Sequence, residues 1–423
     1  CLLADMSVRK DSSDMDQNER NQVLDFASQA GRILLENGAE ISRVEETMER
    51  IAGSYGESDE KFFVLSNGIF TTGQSYAKAE FIPIKGASLD KVVEVNQLSR
   101  DISTGKYTLS QAWEQLERIK NLPSKPSWEL YLGAALGCSG FCIIFGGGLM
   151  DCAASLIAAI VLNFFMLKVA GPYLSKALGN ICAGYIGTIL CILLQHYGIG
   201  TNIGNMVVGT MILLIPGVAF TNGLRDVVNE DYLAGITRLA DALMMFMAIA
   251  IGVFMAFMTQ GWIAGEVVQV NGMITDSFTA RIPIQLIAAL LATIAFAILY
   301  GVPRNRCFSA GLVGMLGWTV YLLVSRYTVA GPFAANFLAA TVVACLSRAF
   351  AKFLRCPRTI FLICGIFPLI PGGGVFWSAY YVASGQLPLA LSSGMSAIKS
   401  TIAIVLGIMI AANIFNNKSF RRC

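Results

Sequence analysis

The chain has 423 residues, of which 55% are hydrophobic and 14% charged, and its formal net charge is +3 at pH 7. A typical soluble domain has roughly 25% charged residues, so this composition excludes a wholly soluble protein. Residues 1–128 hold 20 acidic and 15 basic side chains, whereas residues 129–423 hold 8 acidic and 16 basic ones. We therefore predict a cytosolic N-terminal domain followed by a membrane domain, with no nucleic acid as a partner.

The N-terminal domain, residues 1–128, has the pattern of a small α+β unit. Apolar residues at helical spacing predict a helix over about 19–54 that bends at Asn37-Gly38. A strand, a glycine-containing connection, a second strand and two helices follow at 61–66, 67–75, 76–84, 88–103 and 108–120. Pro123 and Pro126 mark the hinge into the membrane.

The remaining sequence contains apolar runs of about 20 residues, the length that crosses a bilayer. They predict ten transmembrane helices at about 130–148, 152–170, 177–196, 203–223, 234–258, 283–301, 307–325, 333–352, 359–378 and 389–413. The first five form one membrane repeat, residues 129–262, and the last five form a second, residues 283–423. The fold class is thus an α-helical polytopic membrane protein with a small N-terminal α+β domain.

The tetrapeptide Leu-Ile-Pro-Gly occurs at 214–217 and again 155 residues later, at 369–372. The same offset pairs Ala242 with Ala397 and Gly252 with Gly407, while a one-residue shift aligns 154–157 with 310–313. Because each copy has an odd number of spans, the copies enter the membrane in opposite senses and form an inverted repeat. Inverted repeats with broken helices at matching positions are typical of secondary transporters.

The distribution of basic residues predicts the orientation in the membrane. Only Arg281 and Arg326 fall in loops on one side, whereas the other side collects Lys168, Lys176, Arg225, Arg304, Arg306, Arg348, Lys352, Arg355, Arg358, Lys418, Arg421 and Arg422. This bias predicts a multi-pass protein of the cell membrane with both termini in the cytoplasm. We interpret Cys1 as a processed or trimmed terminus, because a lipid anchor outside the cell would reverse the topology.

Catalytic and cofactor-binding patterns are missing from the sequence. Most of the eleven cysteines lie in apolar spans, where they act as small packing residues. The single histidine, His196, is expected to be an interfacial packing or loop residue. With no phosphate-binding glycine loop and no Ser/His/Asp set, we expect no enzymatic activity, no metal and no other cofactor.

Chemically active residues surround the first Pro-Gly break. A proline inside a helix removes a hydrogen-bond donor, and the carbonyls it frees need protein, water or substrate as partners. We predict a substrate site that includes Pro216, Gly217, Asn222, Arg225 and Arg238. The candidate carriers of a coupling proton are Asp151, Asp226 and Asp241. Simple loop charges at the membrane surface are the alternative interpretation of Arg225 and Asp226.

The second break has different neighbours. Glycines and aromatic residues replace the charged residues there, and we assign Pro371, Gly372, Trp377, Tyr380 and Lys399 to the same substrate site. A lysine within a span requires a carboxylate or a substrate opposite it, unless its side chain extends to the membrane interface. We expect the two breaks to meet near the membrane midplane.

In combination, these motifs resemble those of the threonine/serine exporter family over nearly the whole chain. The segments that carry the resemblance are Gly38-Ala39-Glu40 with Arg43-Val44-Glu45, Phe145-Gly146-Gly147 with Asp151, Pro216-Gly217 through Thr221-Asn222, Arg225-Asp226 with Arg238, and Pro371-Gly372-Gly373. The resemblance implies ten spans and proton-motive-force-driven export of small hydroxy amino acids. Glu40, Arg43 and Glu45 form either a ligand site or a solvated ion-pair face.

Two further functions stay open at this point. Split two-subunit relatives of the same fold are associated with succinate export, so a small dicarboxylate is the alternative substrate. A membrane receptor or channel with a cytosolic sensing domain is the second alternative. The expected partners are the small-molecule substrate, protons and membrane lipid, with a homo-oligomer left open.

Overall fold

The computed structural model describes residues 17–57, 61–73, 76–83, 88–123, 125–228, 231–264, 275–354 and 356–416. Cys1, the end of the second predicted strand, and the basic residues Arg355, Lys418, Arg421 and Arg422 lie outside the described residues. The chain divides into two compact units. One comprises Cys1–Lys125 with Tyr300–Pro303, and the other comprises Pro126–Leu299 with Arg304–Cys423.

The N-terminal unit is a small α+β fold. Its elements are α1 (Gln17–Glu36), α2 (Ile41–Ser54), β1 (Lys61–Leu65), β2 (Gly68–Gly73), β3 (Tyr76–Phe81), α3 (Leu89–Ser103) and α4 (Leu109–Lys120). The strands form one antiparallel sheet in the order β1-β2-β3. The segment predicted as a connection is therefore partly the central strand, because pairing on both edges overrides the weak strand preference of its glycines.

The predicted bend at Asn37-Gly38 is a complete helix end. Gly38 adopts a φ of 81°, and the amides of Gly38 and Ala39 donate to the carbonyls of Leu35 and Leu34. These bonds satisfy the last carbonyls of α1 in the arrangement that glycine favours after a helix. The single predicted helix is thus two helices, α1 and α2.

The second unit is entirely helical within its described residues. Its helices are α5 (Ser127–Ile144), α6 (Leu149–Phe165), α7 (Gly171–Tyr173), α8 (Lys176–His196), α9 (Ile203–Met211), α10 (Gly217–Val228), α11 (Tyr232–Ala264), α12 (Ile282–Leu299), α13 (Arg304–Tyr327), α14 (Gly331–Leu354), α15 (Arg358–Ile366), α16 (Gly372–Ala383) and α17 (Leu387–Asn416). A π-helical turn, Met166–Ala170, joins α6 to α7, and a 3-10 turn, Phe367–Leu369, follows α15.

Among the described residues, eight helices are long and apolar enough to cross a membrane. A ninth span results if α15 and α16, which bend by 52° at their break, count as one. The remaining span expected from the sequence, 203–223, consists of two shorter helices, α9 and α10. Both copies of Leu-Ile-Pro-Gly thus lie where one helix ends and another begins.

The helices of the second set begin 155 residues after their counterparts in the first set. The matching starts are Ser127 and Ile282, Leu149 and Arg304, Lys176 and Gly331, Ile203 and Arg358, Gly217 and Gly372, and Tyr232 and Leu387. Leu149 and Arg304 keep this offset, so the one-residue shift predicted just downstream does not move the helix start. The repeated sequence therefore produces a repeated helix pattern.

The first helices of the two sets, α5 and α12, pack against each other in opposite directions. A Cβ at Gly133 would lie 3.1 Å from the Ala295 carbonyl oxygen, whereas a Cβ at Gly140 would lie 2.9 Å from the Ala292 Cβ. Because the residue numbers rise along α5 while those of the contacted residues on α12 fall, the two helices are antiparallel. Glycine allows this close approach of helix backbones within a membrane protein.

The glycines paired by the sequence repeat also serve as helix contacts. Gly252 on α11 packs against the α8 backbone at Ile181. Its counterpart Gly407 on α17 packs against α14, where an added Cβ would lie 2.6 Å from the Phe337 carbonyl oxygen. Ala242 and Ala397 are both buried. The residues shared by the two copies therefore have shared packing roles.

Candidate functional site

The two helix breaks lie against each other. A Cβ added at Gly217 would lie 2.6 Å from the Ile370 Cγ2, and one added at Gly372 would lie 3.1 Å from the Ile215 Cγ2. Ile215 and Ile370 are themselves counterparts in the repeat, so the contact is reciprocal. Such self-complementary contacts indicate a local two-fold relation. The expectation that the breaks meet agrees with this geometry.

Each proline occupies a tight turn between its two helices. The Gly217 amide donates to the Ile215 carbonyl at 2.8 Å, and the Gly372 amide donates to the Ile370 carbonyl at 2.7 Å. A hydrogen bond across one residue defines a γ-type turn, and the fixed φ of proline suits its central position. The next helix starts at once, because the amide of Phe220 donates to the Pro216 carbonyl at 2.9 Å.

A small, open cleft lies beside the paired breaks. Its lining is polar at two adjacent residues of α10, Thr221 and Asn222, and is otherwise formed by Leu362, Ile363, Ile366, Ile370 and Ile408. The Thr221 Oγ1 is buried, and no described residue makes a hydrogen bond to it. Within the described residues the Asn222 side chain makes no hydrogen bond either. An apolar cleft with a few converging polar groups is the usual form of a small-molecule site.

Asp226 and Arg238 form a buried ion pair. Their Oδ2 and Nη1 atoms are 2.7 Å apart, and the side chains are only 9% and 13% exposed. Asp226 follows Asn222 by four residues, so both lie on the same face of α10, one turn apart. The backbone of Arg225 lies on α10 as well, but its side chain is outside the described residues. Of the three predicted acids, Asp226 is therefore the one that shares a helix face with Asn222 on the wall of the cleft.

The other two predicted acids have structural surroundings of a different kind. The buried Asp151 carboxylate accepts hydrogen bonds from the amides of Gly148, Thr201 and Asn202 at 2.9, 2.6 and 3.0 Å. It holds the start of α6 to the loop before α9. Asp241 is exposed and pairs with Lys176 at 2.7 Å. Neither residue lines the cleft.

The aromatic residues of the second copy form one cluster on α16. The Trp377 ring contacts the rings of Phe376, Tyr380 and Tyr381, with centroids 5.4 to 5.7 Å apart. The Trp377 Nε1 is buried and has no hydrogen-bond partner in the described part of the chain. Trp377 occupies the repeat position of Asn222, so a large ring replaces the polar group that faces the cleft in the first copy.

Lys399 differs from the expectation of a buried cation with a carboxylate opposite it. It is exposed on α17, and no acidic side chain among the described residues pairs with it. The predicted membership of Lys399 in the substrate site therefore has no geometric support, because the cleft is lined by a different face of the same helix at Ile408.

Several buried polar residues were missed by the sequence analysis. Glu129, in the first turn of α5, is buried and pairs with Arg304 at the start of α13. Gln285 on α12 donates to the Ile143 carbonyl at 2.8 Å and accepts from the Trp318 Nε1 at 3.2 Å. An acid directly before an apolar run was a visible signal for Glu129. The unpartnered hydroxyl of Thr221 had no signal in the sequence.

A second small cleft adjoins the first. The two clefts share Leu362 and Ile408. The second is lined also by Ala344, Ser347, Arg348, Arg358, Ala411 and Ala412, with no acidic residue among them. The sequence pattern uses Arg348 and Arg358 only to predict the orientation of the protein in the membrane.

In the N-terminal unit, the Glu40–Glu45 segment is partnered within its own fold. Glu40 is buried, and the Glu45 Oε1 accepts from the Val64 amide at 3.0 Å. This bond ties α2 to β1. The prediction of a solvated face is therefore wrong for Glu40, which is buried, while Arg43 and Glu45 are partly exposed.

The fold and its clefts define a multi-pass membrane protein with a duplicated helical pattern. A family model described as putative threonine/serine exporter matches residues 25–260, and one described as threonine/serine exporter, ThrE, matches residues 285–414. The chain belongs to the threonine/serine exporter family, as its motifs predicted. Both family descriptions are those of an exporter.

Relatives align over most of the chain at low identity. It is 20% identical to the threonine/serine exporter of Corynebacterium glutamicum over 93% of this chain and 83% of that protein. It is 22% identical to the probable threonine/serine exporter of Mycobacterium tuberculosis over 95% of this chain and 78% of that one. It is also 22% identical to the probable succinate transporter subunit YjjP of Escherichia coli, over 59% of this chain and all of that protein. No solved structure matches.

Proposed function

We propose that this protein is a secondary transporter that exports threonine or serine across the cell membrane, driven by the proton motive force. The observation that carries the proposal is the cleft beside the paired breaks, where the buried Thr221 hydroxyl has no partner among the described residues. An unmet buried hydroxyl is costly unless a ligand satisfies it. The relative from Corynebacterium glutamicum is a threonine/serine exporter, which supports this substrate class.

The proposed architecture is two inverted repeats of five membrane segments each. The constant offset of the helix starts and the antiparallel packing of α5 and α12 support it. In this scheme α9 with α10, and α15 with α16, are the broken segments of the two repeats. The bias of twelve basic residues against two supports a cytoplasmic position for both termini.

The proposed substrate site combines hydrogen bonding with charge. The Thr221 hydroxyl and the Asn222 amide can each donate and accept, which suits a hydroxyl group. The isoleucines around them suit the methyl group of threonine. Pro216, Gly217, Pro371 and Gly372 shape the site through the two breaks, and Arg225, Trp377 and Tyr380 remain candidates from the sequence.

We place the coupling proton on Asp226 rather than on Asp151 or Asp241. The Asp226–Arg238 pair offers opposite charges to a zwitterion, with Asp226 for the ammonium group and Arg238 for the carboxylate. A proton on Asp226 would exclude the ammonium group, so proton and substrate would bind alternately. That alternation is what exchange of an exported amino acid for an entering proton requires.

A small dicarboxylate is the second candidate substrate, because the chain is similar to the succinate transporter subunit of Escherichia coli. A dicarboxylate lacks the ammonium group that Asp226 would bind. It would therefore depend on the arginines and not on Asp226. The two candidate substrates therefore make different predictions for a variant that lacks the Asp226 carboxylate, because only threonine or serine would depend on it.

The test is transport by the full-length protein in proteoliposomes. Labelled threonine, serine and succinate are compared in counterflow, and export is then measured with and without an imposed pH gradient. We expect counterflow with threonine or serine and accumulation against a gradient only when the pH differs. Flux that does not depend on the imposed pH gradient would favour a channel. Counterflow with succinate but not with threonine or serine would favour the dicarboxylate as the substrate.

A further inference from the structure

Arg358 stands at a cleft with no partner for its charge. It is half-buried as the first residue of α15, and no acidic side chain or carbonyl in the described residues bonds to its guanidinium. The lining around it is Arg348, Ser347, apolar residues and alanines. A guanidinium has five donors arranged to bind a carboxylate through two parallel hydrogen bonds.

The backbone beside Arg358 adds to the positive potential. Pro357 precedes α15 and supplies no side-chain hydrogen bond to its first amides. The free amides at a helix start carry partial positive charge and favour an anion. Two arginine side chains on the cleft wall and the start of a helix beside them favour an oxyanion at this place.

This cleft leads to the proposed substrate site. Leu362 and Ile408 belong to the walls of both clefts, and Leu362 lies one helical turn after Arg358. Ile366, on the wall of the first cleft, lies one turn further along. Two turns of helix span about 11 Å, which is longer than one threonine molecule. The two clefts therefore suit successive positions of a substrate rather than one bound pose.

We propose that Arg358, with Arg348 beside it, forms an entrance subsite that binds the carboxylate of the substrate before the molecule reaches Thr221 and Asn222. This subsite rests on the proposed function, because it requires a carboxylate substrate that moves through the clefts. It names the group that the protein recognises first, and that group is common to amino acids and dicarboxylates. A lipid phosphate has similar chemistry and is the competing occupant.

The experiment compares L-threonine with L-threoninamide, which lacks the carboxylate, as cytoplasmic-side competitors of threonine counterflow in proteoliposomes. For R358Q we expect the apparent affinity for threonine to fall about tenfold or more, with the maximal rate within about twofold of wild type. The affinity for threoninamide should stay unchanged. R358K keeps the charge but loses the planar guanidinium, so its apparent affinity for threonine should lie between those of wild type and R358Q.

The matched control is K352Q, which removes an exposed base from the nearby end of α14 outside both clefts. We expect it to behave as wild type. Equal losses for threonine and threoninamide in R358Q, or a lower maximal rate with unchanged affinity, would overturn the subsite. An effect of R358Q seen only in vesicles with phosphatidylglycerol, and absent in pure phosphatidylcholine, would assign the site to lipid. Absence of any counterflow in wild type would instead overturn the proposed function, and the subsite with it.

Discussion

Gly217 makes room for Ile370 at the place where the two broken helices of the membrane unit meet. A Cβ on Gly217 would lie 2.6 Å from the Ile370 Cγ2, closer than any relaxed carbon–carbon contact. The two residues come from different copies of the same tetrapeptide, so each copy completes the packing of the other. The breaks are therefore one structural feature rather than two, and a change in either copy acts on both.

This contact predicts unequal effects of adding a methyl group to the two glycines. G217A should destabilise the protein by about 1–3 kcal/mol through overpacking. G372A should cost less, because its added Cβ would meet the nearest side chain at 3.1 Å. Thermal unfolding in detergent measures both. Adding I370A to G217A should recover part of the loss, and equal shifts for G217A and G372A without such recovery would contradict the contact.

Replacing Thr221 with valine separates binding from stability. The buried Thr221 hydroxyl has no partner in the described part of the chain, so its removal should leave the melting temperature unchanged or higher. Transport should fall, with the affinity for threonine lower by about tenfold. T401V is the matched control, since the buried Thr401 hydroxyl donates to the Ala397 carbonyl at 2.8 Å. Normal threonine affinity in T221V would remove this hydroxyl from the site.

Substitution of Asp226 tests the coupling mechanism. D226N leaves Arg238 buried beside a neutral group, and loss of one member of a buried pair costs about 3 kcal/mol or more. We expect gradient-driven export to stop, while exchange of substrate persists in part. D241N is the control, because its exposed pair with Lys176 contributes at most about 1 kcal/mol. If export still depends on the pH gradient in D226N but is lost in D241N, Asp241 and not Asp226 carries the coupling proton.

Asp151 is expected to behave as a structural residue. D151N removes the charge that accepts three backbone amides, so the protein should lose about 2 kcal/mol of stability. Export per folded molecule should still respond to the pH gradient. The comparison requires transport rates normalised to the folded fraction from size-exclusion chromatography. Loss of coupling at normal stability would make Asp151 the proton carrier instead.

The N-terminal unit contains a carboxylate that makes it sensitive to acid. Burial raises the pKa of Asp25, but hydrogen bonds from Tyr76 and Lys78 outweigh this effect and hold the pKa below its usual value of 3.8. A lowered folded-state pKa stabilises the fold above the unfolded value, and this stability is lost as pH falls through the folded value. Hydrogen exchange in β3 should be faster in D25N than in wild type at pH 5. The difference should shrink below pH 3.8, and equal protection at pH 5 would contradict the assignment.

Much of the secondary structure followed from sequence patterns. The helices α3 and α4 and the long apolar helices lie close to their predicted positions, and the bend predicted at Asn37-Gly38 marks the right place but is a complete helix end. Strand β2 was missed because a segment bounded by Gly68 and Gly73 has a weak strand pattern of its own. Pairing with β1 and β3 supplies the hydrogen bonds that make it a strand.

The candidate site was only partly predictable. Asn222 and the Pro-Gly pairs were identified from composition and repetition, and the structure brings the two breaks together. Asp241 and Lys399 looked unusual for their apolar surroundings, yet both are exposed. Spacing along one helix defines its faces, but it does not specify which neighbouring helix covers each face.

The sequence by itself determined the division into a charged unit and an apolar unit, the repeat offset and the places where proline and glycine interrupt helices. These depend on composition and on local backbone preferences, which act over a few residues. Only the tertiary structure decided that Gly217 packs against Ile370, that the Thr221 hydroxyl lacks a partner and that Arg358 and Thr221 lie on adjoining clefts. Those relations join residues more than a hundred positions apart, and they arise from the packing of whole helices against one another.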